Sequence, residues 1–439
     1  MEVEIGRGKK ARRAYGFDDV AIVPSRRTRD PDDVDISWTL GPYRFELPLL
    51  ASAMDGVVSP ETAGILGRLG GLAVLNLEGI WTRYEDADGL LERIATLDRD
   101  EATREMQEIY AEPVKPELIA QRIAEIKEHG VVAAASLTPQ RVEQWHELAL
   151  EAGLDILVIQ GTVISAEHVS SQGHVLNLKE FVRDVPVPVV VGGCASYSAG
   201  LHLMRTGAAG VLVGVGPGAA CTTRGVLGVG VPQATAIADV AGARSQHMLE
   251  TGEYCQVIAD GGMRNGGDVS KAIACGADAI MIGSPLARAY EAPGRGHHWG
   301  MATFHPTLPR GARVRTVQNG TMEEIVIGPA HQNDGTFNLM GGLRTSMATC
   351  GYKDIAEFNR AELMIAPALQ TEGKQLQTAQ GVGMGSRGSS VSSPEPTNGN
   401  GVHRESGSVE SQNYLPSNEE PVTHDGDLAL RGERYIDQK

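Results

Sequence analysis

One pattern recurs along this chain: a helical stretch ends in glycine, and a short run of aliphatic or β-branched residues follows. The pattern has its glycine at Gly70, Gly130, Gly153, Gly207 and Gly276. Glycine just after a helix accepts the left-handed conformation that stops the helix. Uninterrupted aliphatic runs are typical of strands buried on both faces. Repeated helix–glycine–strand units therefore predict βα units and a parallel sheet.

Eight runs of this kind are predicted to be strands. They are Leu49–Ala51, Leu72–Leu75, Val131–Ala135, Ile156–Ile159, Val187–Val191, Gly210–Val213, Gln256–Ala259 and Ala279–Ile282. Eight parallel strands favour an α/β fold of the (β/α)8 TIM barrel type, with a doubly wound open sheet as the alternative. In such barrels the active site lies in the loops that follow the strands.

Composition excludes several classes of function. The net charge of −16 repels phosphate backbones, so nucleic acid is not an expected partner, and the basic residues 7–14 are interpreted as a solvated arm. No run approaches the roughly 18 apolar residues of a membrane span, so no membrane partner is expected. Five cysteines without CxxC spacing indicate a reducing cytoplasm rather than disulfides or a zinc site.

The chain divides by composition into two predicted parts. Residues 1–369 are predicted to form the barrel domain, with residues 77–130 as a charged, helical elaboration after the second strand. From residue 370 onward glycine, serine, proline and asparagine are frequent, and no tryptophan, phenylalanine or cysteine occurs. Such a segment buries too little apolar surface to offset its ordering entropy. Residues 370–439 are therefore predicted to be a disordered low-complexity tail.

The sixth strand runs into a glycine-rich loop with one cysteine, "GVGPGAACTTRGVLGVGVPQ" at residues 214–233. A thiol in such a loop at the barrel rim is accessible, and backbone amide dipoles can activate it. A free cysteine more often behaves as a small buried apolar residue, and the other four cysteines fit that description. Cys221 is therefore the candidate nucleophile, with Thr222 or Thr223 beside it.

The loops after the seventh and eighth strands carry the features of a phosphate site. Asp260 precedes Gly261 and Gly262, and Gly283 and Ser284 directly follow the eighth strand. Glycine amides can cradle phosphate oxygens, and a neighbouring carboxylate can hold ribose hydroxyls. Because the ends of adjacent strands share one rim, these loops predict a site for a phosphorylated sugar.

The cysteine loop closely resembles the signature loop of the IMP dehydrogenase / GMP reductase family. Similar segments elsewhere are Tyr15–Ser25, Leu47–Val57, Val257–Ser284 and Leu339–Phe358. The resemblance extends over nearly all of residues 15–366. It implies attack of a cysteine thiolate on C2 of a purine nucleotide, IMP, XMP or GMP, with hydride transfer between that carbon and a nicotinamide.

The resemblance also implies roles for individual residues. Cys221 would be the nucleophile and Thr223 its catalytic neighbour. Asp260 would bind the ribose. The phosphate would rest on Gly261, Gly262, Gly283 and Ser284, and the nucleotide site would be lined by Ser52, Met54 and Met301.

The cofactor implied is NAD, or NADP, near Gln160, Gly161 and Thr162. The family has an aspartate where this chain has Gln160, and loss of that carboxylate would tolerate a 2′-phosphate. Carbonyls of Gly216, Gly218 and Cys221 would bind a monovalent cation, K⁺. The family further implies a homotetramer or homo-octamer.

Two departures from the family affect the function. Only residues 77–130 occupy the place where most family dehydrogenases carry a CBS regulatory pair. In the flap region, residues 295–337, Arg315 keeps the arginine of the dehydrogenase pair, whereas Gln318 replaces the tyrosine and Arg310 replaces the reductase glutamate. The expected activity is oxidation of IMP to XMP with NAD. The alternatives are GMP reduction with NADPH and a catalytically degraded purine-nucleotide-binding protein, in which Arg315 would belong to a basic surface.

Overall fold

The predicted strands close into a parallel barrel in the computed structural model, which describes residues 2–168, 175–300, 313–366 and 373–383. The barrel strands β1–β8 are Leu49–Ala51, Leu72–Asn76, Ala134–Leu137, Ile156–Gln160, Val189–Cys194, Gly210–Val213, Gln256–Asp260 and Ala279–Ile282. Each pairs in parallel with its neighbours along the chain, and β8 closes the ring by pairing with β1. The (β/α)8 barrel is confirmed, and the open-sheet alternative is wrong because that last pairing leaves no free edge.

Two strands begin later than predicted. β3 begins at Ala134 because the amide of Ala133 donates to the Asp155 carboxylate at 2.8 Å instead of joining the strand ladder. β5 begins at Val189. The preceding residue is Pro188, which has no amide proton to donate to a neighbouring strand.

Strand side chains form two buried layers. Eleven strand residues belong to the cluster inside the barrel: Leu50, Leu72, Val74, Ala134, Ile156, Val158, Val190, Leu212, Ile258, Ala279 and Met281. The hairpin of Trp38–Leu40 and Tyr43–Phe45 joins this cluster, and Trp38 Nε1 donates to the Leu47 carbonyl at 2.8 Å. Because Leu47 precedes β1, the hairpin closes the end where the strands begin. The opposite rim, where the strands end, remains available for a site.

The helices surround the barrel. Those described are Pro60–Arg68, Ala87–Thr96, Arg99–Ile109, Pro116–Glu128, Val142–Glu151, Leu178–Asp184, Tyr197–Met204, Thr223–Leu227, Gln233–Thr251, Gly266–Ala274, Met322–Val326, Leu339–Thr349, Ile355–Phe358 and Gln375–Gln380. Short 3-10 turns occur at Phe17–Asp19, Pro31–Asp33, Ile80–Thr82 and Leu286–Arg288. Within the described ranges, no helix combines the length and the apolar character needed to span a bilayer.

Three further antiparallel ribbons lie outside the barrel. They pair Glu2–Gly6 with Lys9–Arg12, Val20–Ile22 with Leu363–Ile365, and His297–His298 with Val314–Arg315. The first ribbon contains the basic arm, whose Arg12 makes a two-pronged ion pair with Asp239 at 2.9 and 3.0 Å. The third ribbon brackets the central part of the predicted flap.

The predicted disordered tail needs one correction. Residues 375–380 form a helix that Gly381 ends with a φ of 63°. Glutamine, leucine and alanine favour helices, and this local preference outweighed the polar composition. The amide of Gly383 then donates to Asn333 Oδ1 at 3.2 Å. The rest of the predicted tail, residues 370–372 and 384–439, lies outside the described residues.

Candidate active site

The loops after β6 and β7 lie against each other at the rim. A Cβ added to Gly261 would stand 3.3 Å from Gly218 Cα, and one added to Gly262 would stand 3.0 Å from Pro217 Cβ. Both Gly261 and Gly262 have a positive φ, 78° and 84°. These glycines are therefore required both by the backbone conformation and by the close approach of the cysteine loop.

Cys221 is exposed in that loop. Its Sγ lies 3.2 Å from Oγ1 of Thr223, to which the thiol donates a hydrogen bond. Its amide donates to the Gly218 carbonyl at 3.0 Å, which closes a turn just before the helix Thr223–Leu227. Because Thr223 is buried, its hydroxyl fixes one side of an otherwise accessible thiol.

The other four cysteines have the opposite surroundings. Cys194, Cys255, Cys275 and Cys350 are buried. Burial raises the pKa of Cys194 and of Cys275 to about 12. It also raises the pKa of Cys255, with a smaller contribution from Asp278. These thiols are therefore protonated at neutral pH, and Cys221 is the exposed thiol among the five.

Asp260 stands at the end of β7 in the barrel mouth. Gln160, at the end of β4, reaches across and donates from Nε2 to Asp260 Oδ2 at 3.2 Å. Burial raises the pKa of Asp260 to about 7, and the hydrogen bond from Gln160 opposes that rise. Gln233 donates to the Asp260 backbone carbonyl at 3.1 Å, which anchors the residue from the side of the cysteine loop.

The ends of β8 and β1 meet beside this carboxylate. The amide of Ser52 donates to the Ile282 carbonyl at 2.9 Å. A Cβ on Gly283 would collide with Met54 Sδ and would stand 3.6 Å from Ser52 Cβ. Ser52, Met54 and Gly283 are therefore brought together, and glycine is needed at 283 for Met54 to lie there.

Ser284 has a partner to which sequence reasoning assigned no role. Its Oγ lies 2.7 Å from Nε2 of His298, and the two atoms share a hydrogen bond. Burial, with a smaller contribution from His297, lowers the pKa of His298 to about 4, so the imidazole is neutral at physiological pH. The adjacent His297 and His298 were visible in the sequence, but their pairing in a ribbon was not.

The flap residues are only partly brought to the rim. Arg315 is exposed, and its backbone pairs with His297. No hydrogen bond or ion pair joins it to the residues of the cysteine loop that the structure describes. Arg313 instead donates to the carbonyls of Ile94 and Leu97 at the end of the helix Ala87–Thr96.

Of the other residues predicted in and near the flap, the structure describes Gln318 but not Met301 or Arg310. Gln318 Nε2 donates to the Ala289 carbonyl at 2.9 Å, which ties the flap to the loop after β8. Met301 and Arg310 lie outside the described residues. The pair that would activate water is therefore represented, in the described part of the chain, by Arg315 alone.

The segment assigned to the cofactor follows β4. The Gly161 amide donates to the Gly192 carbonyl at 2.9 Å, and the Gly161 carbonyl accepts from the Gly193 amide at 3.0 Å. Since β5 uses the amide of Gly161 and one lone pair of its carbonyl, a dinucleotide would meet this segment through the side chains of Gln160 and Thr162 or through the second lone pair of that carbonyl.

The carbonyls assigned to a cation lie in the turn around Cys221. The Gly218 carbonyl accepts from the Cys221 amide, and a carbonyl oxygen keeps a second lone pair for a cation. Gly216 has a φ of 83°, and a Cβ there would collide with the Arg224 side chain at 2.6 Å from its Cγ. The donor set is compatible with a cation that prefers backbone oxygen.

Comparison with known proteins identifies this arrangement. The family model described as the IMP dehydrogenase / GMP reductase domain matches residues 14–375. The chain belongs to the IMP dehydrogenase / GMP reductase family. The match covers every barrel strand and every described residue of the candidate site. The chain is therefore an oxidoreductase of a family whose members bind purine nucleotides.

Several relatives of this family resemble the chain over most of their length. An uncharacterized oxidoreductase of Mycolicibacterium smegmatis is 47% identical over 372 residues, covering 83% of this chain and 99% of that protein. The inosine-5′-monophosphate dehydrogenase of Methanocaldococcus jannaschii is 28% identical over 480 residues, covering 83% and 95%. The crystal structure of an IMP dehydrogenase/GMP reductase-like protein from Corynebacterium glutamicum has a TM-score of 0.79 at 45% identity, covering 83% and 98%.

The segment between β2 and β3, where most family dehydrogenases carry a CBS regulatory pair, is helical in this chain. β2 ends at Asn76 and β3 begins at Ala134. The residues between them form a 3-10 turn and three helices, Ala87–Thr96, Arg99–Ile109 and Pro116–Glu128. This segment leaves no room for a CBS regulatory pair.

Proposed function

We propose that this chain oxidises IMP to XMP with NAD, through a covalent bond between Cys221 and C2 of the purine. The observation that carries the proposal is the exposed Cys221 thiol, bonded to Thr223, in a loop packed on the glycines beside Asp260. An exposed thiol, a carboxylate and glycine amides thus share one rim. These are the functional groups that a nucleotide oxidoreductase with a covalent step requires.

The nucleotide would lie across the ends of β7, β8 and β1. Asp260 would accept from ribose hydroxyls, and Thr223 would orient the thiol. The phosphate would rest on the amides of Gly261, Gly262 and Gly283 and on Ser284, and the purine side would be lined by Ser52, Met54 and Met301. In the neutral His298 tautomer with its proton on Nε2, the imidazole donates to Ser284 Oγ. The Ser284 hydroxyl proton is then free to be donated to a phosphate oxygen.

In the proposed reaction the Cys221 sulfur bonds to C2 and a hydride leaves the same carbon. The bound nicotinamide supplies the acceptor for that hydride. Water then adds to C2 of the thioimidate, the carbon–sulfur bond breaks, the sulfur recovers a proton, and XMP leaves. Arg315 is the candidate for activating this water, as the resemblance implies. Removal of a general base or of its helper costs about 10²–10⁴ in rate, so an enzyme with Arg315 alone is expected to be slow.

The cofactor and cation assignments belong to the same proposal. Gln160, Gly161 and Thr162 are proposed to adjoin the dinucleotide, NAD or NADP. The carbonyls of Gly216, Gly218 and Cys221 are proposed to bind K⁺. The family resemblance also supports a homotetramer or homo-octamer, and the five cysteines without CxxC spacing support a reducing cytoplasm.

A second candidate function is reduction of GMP with NADPH. The observation that favours it is the uncharged Gln160 where the family dehydrogenases have an aspartate. Without that carboxylate, the 2′-phosphate of NADPH meets no repulsion at this position. Cys221 would again form the bond to C2 of the purine, and ammonia would leave from C2.

One assay panel tests the proposal. Purified protein is incubated with IMP plus NAD and K⁺, and separately with GMP plus NADPH, while the absorbance of the reduced nicotinamide is followed. Formation of NADH is the expected result, and loss of NADPH would favour the reductase. Cys221→Ala should abolish turnover, whereas Cys275→Ala, a buried cysteine distant in sequence from the loop, serves as the matched control. Nucleotide binding without turnover in either direction would leave only the degraded binding protein.

A further inference from the structure

The contact between Gln160 and Asp260 crosses the mouth of the barrel. The two residues end β4 and β7, which are separated in the barrel by β5 and β6. The Gln160 side chain reaches Asp260 Oδ2 at 3.2 Å and lies 3.9 Å from the sulfur of Met281 on β8. Its amide group is therefore placed beside the carboxylate assigned to the nucleotide, although the sequence comparison suggested a role with the cofactor.

The other end of this amide has no partner. Gln160 Oε1 is buried, and no donor among the described residues lies within hydrogen-bond distance of it. A buried acceptor without a donor is unfavourable, so a ligand that donates to it gains affinity. On Asp260, the described hydrogen bonds use Oδ2 and leave Oδ1 for a ligand. The two remaining acceptors, Gln160 Oε1 and Asp260 Oδ1, thus belong to side chains that the contact between Nε2 and Oδ2 holds together.

We infer that Gln160 reads the ribose of the purine nucleotide: one hydroxyl of its 2′,3′-diol donates to Asp260 and the other donates to Gln160 Oε1. The inference rests on the proposed function, because it requires a nucleotide at this rim. It gives Gln160 a direct role in substrate specificity, beyond the position beside the dinucleotide that the proposed function assigns to it.

The chemistry of position 160 explains why an amide stands there. A glutamate in the same place would hold its carboxylate about as close to Asp260 as the present 3.2 Å, whereas the aspartate of the family is shorter by one methylene. Two carboxylates at such a distance compete for one proton, which weakens both as acceptors. Glutamine offers a donor toward Asp260 and an acceptor toward the ligand, and no aspartate or glutamate offers both when ionised.

The test is a cycle of ligands and variants measured by calorimetry without dinucleotide. IMP, 2′-deoxy-IMP and 3′-deoxy-IMP are titrated into the wild type and into Gln160→Leu. The wild type should bind both deoxy analogues about 10-fold or more weakly than IMP, because each lacks a hydroxyl that a built site would hold. The penalty is the Kd of a deoxy analogue divided by the Kd of IMP. In Gln160→Leu this ratio should fall close to 1 for the analogue that lacks the hydroxyl bound by Gln160. It should stay as in the wild type for the analogue whose missing hydroxyl contacts Asp260.

Two further variants support the interpretation. Gln160→Glu should weaken binding of IMP despite its nearly identical shape, because it places a second carboxylate beside Asp260. Gln246 is a half-buried glutamine on the helix Gln233–Thr251, and Gln246→Leu is the matched control, which should bind all three ligands as the wild type does.

The outcomes separate the two proposals. If the wild type does not bind IMP, the proposed function fails and the inference fails with it. If the wild type binds IMP and Gln160→Leu keeps both deoxy penalties, the inference alone is overturned. A rise confined to the KM for the dinucleotide in Gln160→Leu would also overturn it, and would return Gln160 to the cofactor.

Discussion

At the scale of single residues, the five cysteines differ in how accessible they are to an alkylating reagent. Cys221 is exposed, whereas the others are buried. A pKa of about 12, as for Cys194, leaves a thiolate fraction roughly 10³-fold below that of a thiol with the ordinary value of about 9. Iodoacetamide should therefore modify Cys221 first in the native protein, and saturating IMP should protect it.

Mass spectrometry of the alkylated protein checks this expectation. Native Cys221→Ala should take up no label on the same timescale, and in denaturant it should take up four labels against five for the wild type. Early labelling of a different cysteine in the native wild type would contradict the assignment of Cys221 as the accessible nucleophile.

If Asp260 binds the nucleotide as proposed, binding should depend on pH. Its pKa in the free protein is raised to about 7, mainly by burial. Ribose hydroxyls donate to the ionised form, so binding strengthens as the pH rises through 7. For a group with this pKa, IMP should bind about 10-fold more weakly at pH 6 than at pH 8.

The control for this pH dependence is Asp260→Asn. The variant should bind weakly at every pH and should lose the part of the dependence that Asp260 contributes. The second ionisation of the nucleotide phosphate, near pH 6, affects both proteins alike and cancels in their ratio. Parallel profiles of wild type and variant would show that Asp260 does not titrate on binding.

At the scale of elements, the helical segment after β2 is joined to the rim by a buried polar chain. Tyr110, at the end of the helix Arg99–Ile109, donates to Asp55 Oδ2, and Trp299 Nε1 donates to the Tyr110 hydroxyl at 2.6 Å. Asp55 directly follows Met54, and Trp299 follows the ribbon strand His297–His298. One phenol therefore links the insertion, the end of β1 and the beginning of the flap.

Replacement of that phenol tests the link. Tyr110→Phe keeps the ring but leaves Asp55 Oδ2 and Trp299 Nε1 without this partner, which should lower the free energy of unfolding by about 1–3 kcal/mol. Urea denaturation measures the loss. The matched control is Tyr84→Phe. In the wild type the half-buried Tyr84 hydroxyl donates to the Ile109 carbonyl at 3.0 Å, and its removal should lower the free energy of unfolding by less.

The same variant should show a pH dependence with a defined sign. Burial raises the pKa of Asp55 to about 6, above its unfolded value, so its contribution to stability is lost as the pH rises through 6. The hydrogen bond from Tyr110 limits that rise, and its removal raises the pKa of Asp55 further. Tyr110→Phe should therefore be more destabilising at pH 8 than at pH 5. An equal loss at both values would exclude an ionised Asp55 as the partner.

At the scale of the whole molecule, the barrel was predictable because its signals are local. Gly70, Gly130, Gly153, Gly207 and Gly276 all have φ between 71° and 114°, as helix-ending glycines should. The aliphatic runs that follow them are the buried strands. The start of β3 was missed because it depends on the Asp155 side chain, which lies outside the run of apolar residues. The start of β5 could have been predicted, because Pro188 stands inside the predicted run and has no amide proton.

The contents of the site were predictable, but several of its contacts were not. Cys221 and Asp260 could be placed on one rim from strand order alone. The contact between Gln160 and Asp260 joins residues 100 positions apart, and that between Ser284 and His298 depends on how a ribbon folds back. Such contacts follow from the shape of the closed barrel, which no short stretch of sequence encodes.

The final prediction concerns how much of the chain the fold needs. The family match ends at residue 375, and the last described contact joins Gly383 to Asn333. Residues 384–439 contain no tryptophan, phenylalanine or cysteine, so their composition offers little apolar surface to bury. A chain that ends after Gly383 should therefore keep the melting temperature and the turnover of the full chain. A chain that ends after Ala361 is the control: it loses the strand Leu363–Ile365, which pairs with Val20–Ile22, and it should melt several degrees lower. If the cut after Gly383 lowers the melting temperature as much as the control does, the segment beyond it is part of the folded protein, and its prediction as a disordered tail is wrong.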